Sequence, residues 1–254
     1  MQDADGDLKL LKQALRDAGR VALSFHGKNP QHWVKPDGSI VTAGDLAVND
    51  SLLQVLKTER PDDAILSEET PDSAERMSKS RLWIIDPIDG TRNYFNGGTD
   101  WCIGVALIED GEPKVSALYK PTDDRMYHAS RGAGAYCNDK PMATSPDAVD
   151  VIAPKSLQPR ITQAGLQPQA SGSLALLLRF AAIAEGRLAG SISIGNKKDW
   201  DIAAGHLLLM ESGGIATTQA GQKIIYNRPH PWQPGLIAAT AQQHAAILKV
   251  VGDM

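Results

Sequence analysis

Residues 83–91, with the sequence Trp-Ile-Ile-Asp-Pro-Ile-Asp-Gly-Thr, constrain the fold more than any other stretch of the chain. The run Leu82–Ile85 is short, apolar and rich in β-branched side chains, which predicts a buried strand. Because proline has no amide hydrogen for a central ladder, Pro87 predicts that the chain leaves the sheet at that point. The stretch is therefore predicted to be a strand end followed by a turn.

Two aspartates, Asp86 and Asp89, lie three residues apart in this turn. Gly90 permits a tight turn, and Thr91 can cap the helix that follows. Carboxylates suit a hard cation such as Mg²⁺, and the amides at a helix start suit a phosphate. The pairing indicates metal-assisted phosphate chemistry. The alternative is a structural turn with capping aspartates.

The composition limits the class of protein. A chain of 254 residues can form one large domain or two smaller ones, and 42% hydrophobic with 22% charged residues is typical of a globular protein. The net charge of -4 argues against a general nucleic-acid or membrane-surface binder, so neither partner is expected. A small anionic substrate stays possible, because bound cations reverse the local sign of charge.

The sequence also predicts a cytoplasmic location. Its acidic start lacks the basic and apolar regions of a signal peptide, and no apolar stretch is long enough to span a bilayer. Cys102 and Cys137 fall in predicted strands without metal-ligand spacing, so reduced buried thiols are expected.

Periodicity predicts two helices near the start of the chain. Apolar residues at intervals of three and four indicate an amphipathic helix from Leu8 to about His26. Thr42 and Asp45 have capping-box spacing before a second helix that ends near Glu59. The polar stretch 29–39, which carries Lys35 at its tip, is predicted to be a loop, either a solvated turn or a mobile flap over a site.

The remaining elements change in character along the chain. One or two helical turns are expected at 92–98, and strands are expected at 64–66, 82–85, 101–108, 115–119, 126–129 and 135–137. Beyond a boundary near 141–146, helices are expected at 174–185, 200–210 and 242–251, strands at 188–194, 215–217, 223–225 and 236–239, and a polar loop at 195–199. The sequence thus predicts an N-terminal α+β domain, 1–145, and a C-terminal α/β domain, 146–254.

Four acids are candidate metal ligands because each falls at a predicted strand end or helix start; they are Glu68, Asp86, Asp89 and Asp201. If they converge, they repel one another unless divalent cations, here two or three Mg²⁺ ions, neutralise them. The carbonyl of Ile88 is a further candidate ligand. For Glu68 and its neighbour Glu69, the alternative is ordinary surface charge.

The catalytic candidates are Thr91, which can accept a hydrogen bond from an attacking water, and Asp45, which can accept the hydroxyl proton in turn. The amides of Gly90 and Thr91 are expected to hold the phosphate. Phosphate-loop and nucleophile-elbow motifs do not occur, and the histidines lack zinc spacing. His206 is therefore interpreted as a packed or half-exposed residue and not as a ligand.

The sequence resembles the inositol monophosphatase superfamily of Mg²⁺-dependent, lithium-sensitive phosphatases. Residues 83–91 are similar to the first signature of that family, and 200–205 with 211–214 are similar to the second. Residues 67–69 and 37–45 match two further blocks in the same order. The resemblance covers nearly the whole chain.

The resemblance implies a layered α–β–α–β–α sandwich of the α/β (α+β) class and a homodimer. It also implies roles for the candidate residues. Glu68, Asp86 and the Ile88 carbonyl would bind the first ion, Asp86, Asp89 and Asp201 the second, and a third ion would lie near Glu68. Asp45 and Thr91 would activate the water.

The substrate is expected to be a small phosphorylated metabolite. Gly172 and Ser173 resemble a segment that contacts the alcohol part of the substrate, whereas Ile194 stands where inositol-specific members have a glutamate. Lys197 and Lys198 are either solvated or placed to meet a second phosphate. Residues 29–35 and 196–201 also resemble bacterial members of the family that are 3′(2′),5′-bisphosphate nucleotidases. The resemblance therefore favours a 3′(2′),5′-bisphosphate nucleotidase acting on 3′-phosphoadenosine 5′-phosphate. The alternatives are an inositol-1-monophosphatase, a regulatory protein associated with RNA or RNA polymerase, and a phosphatase of histidinol phosphate or fructose 1,6-bisphosphate.

Overall fold

The computed structural model of the protein describes residues 4–170 and 174–252. Gly172 and Ser173, two of the candidate substrate contacts, lie outside the described residues. None of the helices in the described part combines the length and the apolar character that crossing a bilayer requires.

The six predicted helices are confirmed, and one further short helix, α4, was not predicted. The α-helices of the described residues are α1 (Ala4–Phe25), α2 (Ala43–Glu59), α3 (Thr91–Phe95), α4 (Gln158–Gln163), α5 (Leu176–Ala184), α6 (Ala203–Glu211) and α7 (His244–Gly252). The predicted capping box is present at the start of α2, where Thr42 and Asp45 bond each other's backbone amides.

The strands form a short hairpin and two sheets. The hairpin pairs β1 (His32–Val34) with β2 (Ile40–Thr42). A seven-stranded sheet contains, in spatial order, β3 (Ala64–Ser67), β4 (Arg81–Asp89), β5 (Cys102–Glu109), β6 (Glu112–Lys120), β7 (Arg125–Ser130), β8 (Gly134–Cys137) and β9 (Lys140–Met142). A five-stranded sheet contains β10 (Asp150–Ala153), β11 (Gln167–Ala170), β12 (Gly190–Lys198), β13 (Gly214–Thr217) and β14 (Trp232–Thr240), in the order β11-β10-β12-β14-β13.

The two sheets and the helices stack in five layers. Alternate residues of a strand face opposite sides, so Trp83 and Ile85 pack against α1 and α2 while Leu82 and Ile84 face α5 and α6. The five-stranded sheet covers the other side of α5 and α6, and its outer face packs against α4 and α7. This is the expected α–β–α–β–α sandwich. The two sheets lie on either side of residue 145, but they share the core around α5 and α6, so the division into two domains stays a prediction.

Two local predictions in the second half are wrong. Residues 195–198 are not a loop, because β12 continues past a bulge and pairs Lys197 with Gln233 of β14. Residues 223–225 are not a strand, because the carbonyl of Ile225 accepts a hydrogen bond from the Gln233 side chain at 3.0 Å in place of a ladder bond. The loop predicted at 29–39 is wrong in part, since it contains β1.

The prediction that the chain leaves the sheet at Pro87 is also wrong. β4 continues to Asp89, and its pairing with β5 resumes there opposite Cys102. Between Asp86 and Asp89 the strand advances three residues while β5 advances two, so Pro87 lies in a β-bulge. A bulge leaves one residue outside the ladder, which removes the objection to proline.

Candidate active site

The bulge in β4 places both aspartates on one face of the sheet. In a regular strand, residues three apart point to opposite faces. Here Asp86 lies opposite Gly104 and Asp89 opposite Cys102, and those two residues of β5 share a face. Both carboxylates therefore point toward the layer of α5 and α6, and their proximity contributes to the raised pKa of the Cys102 thiol, which burial mainly causes.

The neighbouring strand brings Glu68 to the same place. β3 runs parallel to β4, and the amide of Glu68 donates to the carbonyl of Ile85 at 3.2 Å. Asp201 arrives from the other sheet, in the turn between β12 and α6. Thus three segments that are distant in sequence deliver the four predicted acids.

Electrostatics show that these acids occupy one region. Burial raises the pKa of Asp86 well above its usual range, and the charges of Glu68, Asp89, Asp201 and Asp45 raise it further. Burial likewise raises the pKa of Asp89 to about 6 and that of Asp201 to about 7. Such a cluster is stable in ionised form only with compensating positive charge.

Asp45 and Thr91 are in direct contact. The Thr91 hydroxyl lies 3.0 Å from Asp45 Oδ1 and 2.9 Å from the carbonyl of Ile88, so its one hydrogen can be donated to either. Asp45 Oδ2 accepts from the amide and the hydroxyl of Thr42 at 2.9 and 2.5 Å. Its carboxylate is therefore fixed by the capping box, with one oxygen aimed at Thr91.

The acids fit a hard cation in chemistry, although their side chains have other partners in the structure. Asp89 Oδ2 accepts from the amide of Leu177 at 2.5 Å, and Asp201 Oδ2 accepts from that of Lys198 at 2.8 Å. No three His, Cys, Asp or Glu side chains in the described residues are grouped closely enough to hold an ion. Asp86 Oδ1, however, is buried without a hydrogen-bond partner, and an all-oxygen donor set of four carboxylates suits Mg²⁺. The donor set therefore fits the ion in its chemistry.

Lys35 supplies positive charge to the glutamates next to β3. Its Nζ lies 2.7 Å from Glu68 Oε1 and 2.7 Å from Glu69 Oε1. Burial lowers the pKa of Lys35, but the bonds and charges of the two glutamates outweigh that effect and raise it. Sequence reasoning placed Lys35 at a loop tip without a role. The signal that could have found it was the flap interpretation of that loop.

A cavity of about 340 Å³ lies on the five-stranded sheet next to the acids. Its walls carry two cations, Arg179 and Lys197, together with the Ser193 hydroxyl and apolar side chains that include Ile194. Arg179 contributes a favourable charge at Asp89, and Lys197 does so at Asp201. Arg179 was missed from the sequence, because a lone arginine in an apolar helix gives no motif.

Lys198, the other predicted lysine, points elsewhere. It is exposed, and its Nζ lies 5.7 Å from the centre of the Trp200 ring. Adjacent residues of a strand face opposite sides, which explains why only Lys197 lines the cavity.

Comparison with known proteins assigns the chain to a family. The sequence pattern of the inositol monophosphatase family matches residues 6–253. The chain belongs to that family. A relative from Salmonella typhimurium, 30% identical over 86% of this chain and 93% of its own, is named 3′(2′),5′-bisphosphate nucleotidase CysQ. An inositol-1-monophosphatase of Bacillus subtilis is also 30% identical, over 87% of this chain and 89% of its own.

A third relative has a different name. The protein from Streptomyces griseus, 34% identical over 84% of this chain and 86% of its own, is named glucose-1-phosphate thymidylyltransferase. The names of the relatives therefore agree on no single substrate.

Solved structures agree with the family assignment. A staphylococcal inositol monophosphatase-1 soaked in LiCl, described as an inhibitory complex, has a TM-score of 0.87 at 26% identity and covers 98% of this chain and 96% of its own. An inositol monophosphatase and NADP phosphatase complexed with Mg²⁺ and phosphate has a TM-score of 0.86 at 26% identity, covering 97% and 95%. The chain is a phosphoric monoester hydrolase of the inositol monophosphatase family.

Proposed function

We propose that the chain hydrolyses 3′-phosphoadenosine 5′-phosphate to adenosine 5′-phosphate and inorganic phosphate in a Mg²⁺-dependent reaction. The observation that carries this proposal is the cavity beside the acids, in which Arg179 and Lys197 form a cationic wall. A substrate with one phosphate has no group for a second cationic site, whereas a bisphosphate has one.

The acids would hold the metal. Glu68, Asp86, Asp89 and Asp201, with the Ile88 carbonyl, are the oxygen ligands that we assign to two or three Mg²⁺ ions. When bound, such ions lower the pKa of a water and stabilise the charge on the phosphate and on the leaving oxygen.

Within this set, Thr91 and Asp45 would handle the proton. The hydroxyl of Thr91 already lies 3.0 Å from Asp45 Oδ1, so it can accept a proton from water on one side and donate on the other. Burial raises the pKa of Asp45, which makes its carboxylate a better proton acceptor. The amides of Gly90 and Thr91, at the start of α3, would orient the phosphate oxygens.

The cavity would select the leaving group. Arg179 is held by a bond from its Nε to the carbonyl of Leu174 at 3.0 Å, and a cation fixed in this way can form a strong charge-assisted bond to a second phosphate. Ile194 is 43% exposed and lines the same cavity. It offers no hydrogen-bonding group to the hydroxyls of a cyclitol, which disfavours inositol phosphates. Roles for Gly172 and Ser173 stay predictions, and Lys198, which points away from the cavity, is assigned no role in this proposal.

Inositol 1-phosphate is the second candidate substrate, supported by the equal identity of the Bacillus subtilis relative. Inhibition by lithium is proposed from the soaked staphylococcal structure. A homodimer, a cytoplasmic location and the absence of a nucleic-acid partner also stay predictions.

The test compares the turnover of 3′-phosphoadenosine 5′-phosphate and inositol 1-phosphate by the full chain with Mg²⁺. We expect the bisphosphate to be preferred. Lys197→Met should raise KM for the bisphosphate about tenfold, the effect expected for the loss of one hydrogen bond between charged groups. Lys198→Met is the matched control and should leave KM unchanged. Inertness toward both substrates, or equal effects of the two lysine variants, would contradict the proposal.

A further inference from the structure

Arg76 is a charged side chain that the proposed chemistry does not use, yet it is only 3% exposed. It lies in the 3₁₀ turn Ala74–Ser78, in the connection between Glu68, which follows β3, and Asp86 of β4. Its guanidinium binds Asp72 with two bonds, of 2.6 Å from Nε and 2.9 Å from Nη2. A buried arginine needs such partners to offset the loss of hydration.

The other bonds of Arg76 cross to a distant part of the chain. Nη1 donates to Asn227 Oδ1 at 3.0 Å, and Nη2 donates to the carbonyl of Arg228 at 2.9 Å. Asn227 returns a bond from Nδ2 to the carbonyl of Arg76 at 3.2 Å. Arg76 thereby joins the edge of the seven-stranded sheet to the segment that precedes β14.

That segment in turn holds the turn that carries Asp201. The amide of Asp199 donates to the carbonyl of Pro231 at 3.0 Å, and Asp199 Oδ1 accepts from the Gln233 side chain at 3.0 Å. The carbonyl of Asp199 accepts a hydrogen bond of 2.9 Å from the amide of Ala203, the first residue of α6. Asp199 is fully buried and stands two residues before Asp201, so its bonds restrict the backbone that leads to Asp201.

Two polar atoms in this region lack the hydrogen bonds that buried groups usually have. Asp199 Oδ2 and Arg228 Nε are both buried without a hydrogen-bond partner. The charges of Arg228 and Arg76 nevertheless act favourably on the Asp199 carboxylate. A buried acid with an unsatisfied oxygen lowers the stability of the folded state, and the two nearby cations offset that cost only in part.

We infer that Arg76, Asn227 and Asp199 are positioning residues, which form an inter-sheet clasp that holds Asp201 at the distance from Glu68 and Asp86 that shared Mg²⁺ ions require. This inference rests on the proposed function. Glu68 directly follows β3 and Asp86 lies in β4 of the same sheet, whereas Asp201 follows β12 of the other sheet, so their separation depends on contacts between the sheets. Metal ligands must be held within a fraction of an ångström of their positions. Loss of a residue that orients a ligand commonly weakens metal binding by about 10-fold to 100-fold.

The test measures Mg²⁺ binding by titration calorimetry on the full chain, with circular dichroism to establish folding. Arg76→Met and Asn227→Gly remove the clasp bonds. The glycine keeps the left-handed backbone of Asn227, whose φ is 58°, so this variant disturbs the fold least. We expect Mg²⁺ to bind about 10-fold more weakly to each variant. At saturating Mg²⁺, kcat should approach that of the wild type, because the clasp touches no reacting atom.

Arg81→Met is the matched control. Arg81 is a half-buried arginine that also binds carboxylates, those of Asp7 and Asp63, but these contacts lie outside the clasp. It should lower the thermal stability without changing Mg²⁺ affinity. If the folded Arg76 and Asn227 variants bind Mg²⁺ as tightly as the wild type, the clasp is overturned. If Arg76→Met does not fold, Asn227→Gly decides. A wild type that binds no Mg²⁺ would overturn the proposed function as well, which distinguishes the two failures.

Discussion

The acid cluster and the cationic cavity lie side by side but are built differently. Asp86 and Asp45 are almost completely buried, and Asp45 is fixed by backbone and hydroxyl donors. The cavity next to them is walled by a half-buried Lys197 and an exposed Ile194. Burial magnifies charge interactions in the first region, whereas solvent screens them in the second. The difference suggests that the reaction is determined by the rigid cluster and the choice of substrate by the more accessible wall.

The most severe test of this division is Asp89→Asn. The change keeps the volume of the side chain but removes a proposed metal ligand, so kcat should fall at least about 1,000-fold, the equivalent of several kcal/mol of metal-ion catalysis. The loss should be similar for every phosphate substrate. Asp147→Asn, at an exposed aspartate, is the control and should have wild-type kinetics. A selective loss for one substrate would show that the two regions are not separable.

Arg179→Met tests the other region and should have a smaller effect. Loss of one cation should raise KM for 3′-phosphoadenosine 5′-phosphate by about 10-fold to 100-fold. This range corresponds to the roughly 1.5 to 3 kcal/mol that a hydrogen bond to a charged group contributes. Mg²⁺ affinity, measured by calorimetry, should change little. A large change of Mg²⁺ affinity in either direction would show that Arg179 acts on the acids through Asp89 and not on the substrate.

The last prediction concerns stability and its dependence on pH. The pKa of Asp89 is raised to about 6 and that of Asp201 to about 7, against an ordinary 3.8, so these two carboxyl groups bind more protons in the folded protein than in the unfolded chain from about pH 4 to about pH 7. The metal-free protein should therefore lose stability as pH rises from about 4 to about 7 and level off above that. Mg²⁺ at about 100 times its Kd should restore about 2.7 kcal/mol. Thermal denaturation at several pH values, with chelator and with Mg²⁺, measures both the loss of stability with pH and its recovery with the metal. A melting temperature independent of Mg²⁺ near pH 8, or one that rises with pH in chelator, would contradict this account.

The sequence alone determined the elements whose pattern is repeated over several turns or residues. The apolar spacing of residues 8–26 and the capping box at Thr42 required no long-range contact, and both are present in the structure. The candidate acids could also be identified from the sequence alone, because a carboxylate at a strand end is a local feature. The resemblance to the family then supplied the layering, which the structure confirms.

Only the tertiary structure decided which of these groups meet. Whether Pro87 ends β4 or occupies a bulge depends on pairing with β5, and that bulge is what turns Asp86 and Asp89 to one face. The contact of Lys35 with Glu68, the Arg179 wall and the clasp at Arg76 all join residues more than 30 positions apart or in different sheets. Local propensity carries no information about such pairs, since their energy comes from burial and charge in the assembled fold.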